Sequence, residues 1–154
     1  MGTVLLRDQI RDINRVVSLL SFWDTFFMSR ALLYAQLVVV AALAALHLAG
    51  VEYHLYWRFI WLDTLAHTLG GMWAGLFVFS VRTRLGYMPS ITWGIVGAIV
   101  LGILWEVFEV VVGIPREANY AFDTSVDLLM DTIGGILGAI LARFIMRRYH
   151  DGID

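Results

Sequence analysis

The chain reads as an all-α membrane protein: four transmembrane helices preceded by an N-terminal amphipathic helix lying in the membrane interface. Three observations predict this. Of 154 residues, 60% are hydrophobic and 16% charged, with a mean hydropathy of +0.76, which is more apolar than a soluble domain of this size. The apolar residues lie in four blocks, each long enough to cross a bilayer, which takes about 20 residues. The arginines, finally, gather on alternate connections between those blocks. A net charge of −2 offers nothing to nucleic acid, and the absence of cysteine excludes disulfides, thiolate metal sites and cysteine nucleophiles.

The first 30 residues do not resemble a cleavable signal. Arg7, Asp8, Arg11, Asp12, Asn14 and Arg15 interrupt any apolar core, and no small-residue cleavage motif follows. Leu6, Ile10, Ile13, Val17, Leu20 and Phe27 recur instead at a helical period, with polar residues opposite. That pattern describes an interfacial helix, with a helix packed on a partner subunit as the lesser alternative. The spans follow at 31–50, 60–81, 91–113 and 124–146. Pro89 precedes the third span and Pro115 follows it, where proline suits a boundary. The expected division is 1–30 interfacial helix, 31–146 transmembrane domain and 147–154 cytoplasmic tail.

Arginine placement predicts the orientation. Arg7, Arg11, Arg15, Arg30, Arg82, Arg84, Arg143, Arg147 and Arg148 fall on one side, and only Arg58 and Arg116 on the other. The positive-inside rule then places both termini in the cytoplasm of a bacterial cytoplasmic (inner) membrane. Tyr53, Tyr56, Trp57 and Trp61 read as an outer aromatic belt and Tyr87 and Trp93 as an inner one. His47 and His54 are expected at the outer interface and His150 in the tail.

Against this background the acids stand out, because ionisable groups within a bilayer are costly and mark functional sites by default. Asp63 and His67 are four apart in the second span, Glu106 and Glu109 three apart in the third, and Asp127 and Asp131 four apart in the fourth. Each pair therefore shares a helix face near the outer end. Counting inward predicts two tiers, with Asp63, Glu109 and Asp127 above His67, Glu106 and Asp131. Small residues continue down the same faces: Gly70, Gly71 and Ala74; Ala98 and Gly102; Gly134, Gly135, Gly138 and Ala142. Such residues let membrane helices approach closely and turn the acids inward. Asp123 is expected to cap the fourth span.

Five carboxylates cannot all stay charged at close range unless protons, an arginine or a cation neutralise them. Carboxylates with one imidazole suit a divalent ion such as Zn, Mn, Fe, Mg or Ca. The candidate ligands are Asp63, His67, Glu106, Glu109, Asp127 and Asp131, with Glu106 or Asp131 as a general base. A proton relay and a structural hydrogen-bond network remain alternatives for the same residues.

The three motifs resemble the VanZ-like and YjdF-type families of small bacterial polytopic membrane proteins, over about residues 60–145. Asp63-x-x-x-His67 is similar to their Asp-x-x-x-His, and Trp105-Glu106-x-x-Glu109 to their acidic third-span motif. Phe122-Asp123-Thr124-Ser125-Val126-Asp127 resembles the YjdF-type Trp-Asp-Thr-x-x-Asp, and Asp127 through Gly135 the VanZ-like Asp-x-x-x-Asn-x-x-Gly, with Asp131 standing where Asn is frequent. Thr64 and Thr68 replace a basic and an aromatic residue of the pattern. The resemblance implies an inner-membrane protein linked, in the VanZ-like branch, to the cell envelope and glycopeptide susceptibility.

Three function classes fit: a metal-dependent enzyme processing a lipid or lipid-linked envelope substrate at the outer leaflet; a non-catalytic subunit or lipid- or ligand-binding module of a homo-oligomer or larger membrane complex; and cation or proton translocation. Membrane lipids are the expected partners in every case. The scarcity of polar residues in the cytoplasmic halves of the spans counts against a conduit.

Overall fold

A computed structural model describes residues 30–87, 90–113 and 119–150. These residues contain no strand and form four helices: α1 (Arg30–Glu52), α2 (Trp61–Arg84), α3 (Ile91–Val112) and α4 (Tyr120–His150). All four are long and apolar enough to span a membrane. The amphipathic segment expected over residues 1–30 lies, but for Arg30, outside the described residues.

The helix ends follow local chemistry. Ser90 caps α3, its Oγ accepting the Thr92 N–H at 3.3 Å. Gly113 ends α3 with φ 73°, a left-handed conformation that a side chain disfavours, and its N–H returns to the Glu109 carbonyl. Helix α2 runs past the expected stop at Val81 to place Arg82 and Arg84 in its last turn, where positive charge meets the negative end of the helix dipole. The fourth helix corrects an expectation. It begins at Tyr120, with the Asn119 carbonyl accepting from both Phe122 and Asp123 N–H. Asp123 therefore sits inside the first turn and is not the cap.

Glycines set the packing. Helix α4 lies more extensively along α2 than along α3, and α2 and α4 touch backbone to backbone. Gly71 abuts the Asp131 backbone, Gly75 the Gly135 carbonyl, Gly134 the Thr68 carbonyl and Gly138 the Met72 carbonyl. Helix α3 closes the group through Gly94, which faces Ala139, and Ala98, which faces Gly135. Without a solvent-driven hydrophobic force inside lipid, such close van der Waals contact is what joins the helices. Toward the end carrying Arg30, Arg82 and Arg147, Leu32 and Val39 of α1 pack with Leu76, Phe79, Ala139 and Ala142. Large apolar side chains cover the outer surface, among them Val100, Leu104, Val111, Ile140 and Phe144, as a lipid-facing surface requires.

Candidate functional site

At the opposite end, where α2 starts, α3 stops and α4 starts, the acids gather. Because Asp63 and His67 are one turn apart on α2, and Asp127 and Asp131 one turn apart on α4, the tight α2–α4 contact interleaves them. The His67 ring lies between the two aspartates: Nδ1 is 3.3 Å from Asp131 Oδ2 and Nε2 is 3.9 Å from Asp127 Oδ1. His67, Asp127 and Asp131 are all buried. Asp63, His67 and Asp127 each offer a ligand atom, and these atoms lie within 4.8 Å of one another. Two donors held about 2.0–2.6 Å from one ion stand roughly 3–5 Å apart, so the donor set fits a cation.

The glycine contacts dictate this geometry. Asp131 presses its backbone on Gly71 while its carboxylate rests against Gly102 of α3, where any larger residue would collide. With Asp131 fixed, its Oδ2 engages His67 Nδ1 and leaves Nε2 directed at Asp127 and away from Asp131. A carboxylate behind a histidine in this way orients the ring and raises its basicity toward a ligand on the other nitrogen.

The acids of α3 are placed differently from one another. Glu106 is buried, and its Oε2 accepts a 2.7 Å hydrogen bond from Thr124 Oγ1. Its Oε1 is buried with no hydrogen-bond partner among the described residues. A buried carboxylate oxygen left so is costly, and it is accounted for by a proton, a water or a ligand. Glu109 is half-buried and accepts from Trp105 Nε1 at 2.8 Å. The expected tiers therefore shift: Gly102, not Glu106, is level with Asp131, and Glu106 stands about a turn higher, opposite Thr124.

Two further contributions were not foreseen. Among the hydroxyls here, Thr68, Ser125 and Thr132 each donate to the carbonyl four residues back on their own helix, whereas Thr124 donates across to Glu106. Its position three residues before Asp127 was the available signal. Tyr56, in the α1–α2 connection, lies under Gly50 and meets His47 Nδ1 through its hydroxyl at 3.1 Å. Burial, and secondarily the negative charge of Asp63, push its phenol above the ordinary value of 10.0. A residue read as part of the aromatic belt thus senses the charge of the site.

The fold and the buried carboxylate–histidine cluster define a multi-pass, all-helical membrane protein. Residues 16–148 match the family described as predicted membrane protein (DUF2238), and the chain belongs to that family. No curated protein and no solved structure matches the chain.

Proposed function

We propose that this protein holds a divalent cation at the outer-leaflet end of its bundle and uses it on a lipid or lipid-linked envelope substrate. The observation carrying this reading is His67, buried between Asp127 and Asp131 with Asp63 beside it. Asp63, His67 Nε2 and Asp127 are the ligands, and Asp131 positions the ring. A cation there supplies Lewis acidity toward a phosphate or carbonyl oxygen. Glu106, with one oxygen engaged by Thr124 and the other uncommitted, is the residue placed to take a proton from an attacking nucleophile. Glu109 lies at the rim as an outer charge.

The arginine distribution supports an inner-membrane orientation with both termini cytoplasmic, which puts the site in the outer half. The motif resemblance to VanZ-like and YjdF-type proteins supports an envelope role. Translocation fits less well. Below Asp131, among the described residues, α2 and α4 meet through Gly71, Gly75, Gly135 and Gly138 at backbone contact, leaving no file for an ion between these two helices.

Elemental analysis of purified protein, with Mn2+ and Zn2+ titrations of wild type and His67→Ala, tests the proposal. Stoichiometric cation binding that His67→Ala abolishes is expected. Wild-type protein that takes up no divalent ion would sink it. Because the chain lacks cysteine, His54→Cys and Arg84→Cys report orientation directly: an impermeant thiol reagent added to intact cells should label only the first.

A further inference from the structure

Between α2 and α3, below the site, lies an open groove of about 240 Å³ lined entirely by apolar groups, chiefly Trp73, Phe77, Val78, Gly97, Val100 and Leu104. One wall is flat, because the Trp73 and Phe77 rings stack at 5.3 Å and 19°. The opposite wall is the half-exposed pair Val100 and Leu104. The groove lies within the membrane-spanning lengths of both helices, so the surrounding medium is lipid.

Two features join this groove to the acids. Residues three and four apart share a helix face, and the groove face of α2 climbs from Phe77 through Trp73, Ala74 and Gly70 to His67 and Asp63. Gly70 stands on that face between Trp73 and Ala74 of the groove and His67 of the site, and it is open. A methyl built there would meet only Asp131 Oδ1, at 3.9 Å, whereas one residue on, at Gly71, it would collide with backbone. The open position at Gly70 thus has the Asp131 carboxylate beside it and stands about one turn above Trp73 and Ala74, the groove residues nearest the site on α2. The length also fits: His67 to Phe77 is about 15 Å of helix, and one leaflet is about half of the roughly 30 Å hydrocarbon core.

We propose that the groove seats one acyl chain of a bilayer phospholipid whose phosphate end reaches the His67 site over Gly70. The headgroup part rests on the cation reading above, since Asp63, Asp127 and Asp131 alone would repel a phosphate and a hard cation held by Asp63, His67 and Asp127 would bind it. The chain part does not. A phospholipid is thereby the substrate class the site presents: apolar tail in the groove, phosphate at the ion.

The test is photolabelling of the full chain in phosphatidylethanolamine–phosphatidylglycerol vesicles containing a trace of phosphatidylglycerol with a diazirine midway along one chain. Adducts mapped by mass spectrometry should be enriched about tenfold on Phe77, Val100 and Leu104 over Ile140 and Phe144 of α4. A diacylglycerol bearing the same chain should show no such enrichment. Val100→Trp, which fills the groove, should remove the enrichment while Mn2+ binding persists, and the wild-type map remains decisive if that variant does not fold. Uniform labelling of all lipid-facing surfaces overturns the proposal, as does equal enrichment with diacylglycerol. Disulfide dimers formed by Val100→Cys protein in membranes would also overturn it, by giving the groove to a second copy of the chain. Enrichment in a protein that binds no Mn2+ would uphold the chain subsite and refute the cation reading, so the two failures are distinguishable.

Discussion

Gly70 and Gly71 are neighbours on α2, and the structure assigns their alanine substitutions opposite signs. At Gly70 the added methyl enters open space, its nearest contact outside its own helix being Asp131 Oδ1 at 3.9 Å. The exchange there gains up to about 1 kcal/mol from the better helical propensity of alanine. At Gly71 the methyl overlaps the carbonyl and Cα of Asp131, which are backbone atoms and cannot rotate aside. Helix α4 must retreat by roughly 1 Å to restore van der Waals contact, an overpacking that costs about 1–3 kcal/mol. The displaced residue is the one that orients His67, so the 3.3 Å Nδ1–Oδ2 contact would stretch to about 4 Å, beyond hydrogen-bonding range. Gly71→Ala should therefore lower the melting temperature in detergent by about 3–10 °C. It should also weaken Mn2+ binding about 10- to 100-fold, the usual cost of losing a ligand's outer hydrogen bond. Gly70→Ala should do neither. Circular dichroism melts and Mn2+ titrations read both effects. Equal melting temperatures for the two variants would show that the helices do not meet at Gly71. An unaltered Mn2+ affinity in a destabilised Gly71→Ala would show that Asp131 does not position His67.

Three other outcomes follow from the same geometry. Asp131→Asn keeps an acceptor oxygen for His67 Nδ1 and should retain Mn2+ binding with a loss of about 10- to 100-fold, while His67→Ala removes a ligand and should abolish it; the reverse order would exchange their roles. Thr124→Val leaves the buried Glu106 carboxylate without its 2.7 Å donor and should cost about 1–3 kcal/mol, with Thr124→Ser close to wild type in the same melt. In spectrophotometric titration, Tyr56 should ionise above 10.0, and Asp63→Asn should lower its midpoint only part of the way, because burial is the larger cause. Since the folded state holds that proton more tightly, the contribution to stability is present below the unfolded value and lost as pH rises through and above about 10. A midpoint indifferent to Asp63→Asn would separate Tyr56 from the site.

Much of the architecture was legible because lipid imposes it. A span must be long and apolar, so α1–α4 lie within a few residues of the blocks expected. Polar groups within a span must turn from lipid, so the glycine and acid faces were readable from spacing alone. What spacing could not supply was height. The expected tiers assumed that helices enter the membrane level with one another, and α4 starts at Tyr120 instead of Thr124. Glu106 consequently faces Thr124, and Gly102 takes the place beside Asp131. Thr124 was overlooked for a related reason, since threonines within helices ordinarily donate to their own backbone, as Thr68 and Thr132 do here. Tyr56 was read from its type and depth, and only the chain's return under Gly50 brought it near Asp63.

By itself the sequence determined the helical class, the four spans, the arginine asymmetry and the faces on which the acids stand. Those properties depend on composition and on a period of 3.6 residues, which a single chain carries locally. The tertiary structure decided which acids share His67, which of them takes a cross-helix hydroxyl, and that an apolar groove opens between α2 and α3. Those are relations of height and separation between helices. They arise where glycines let two backbones touch, and the depth of that contact is a property of the pair rather than of either helix.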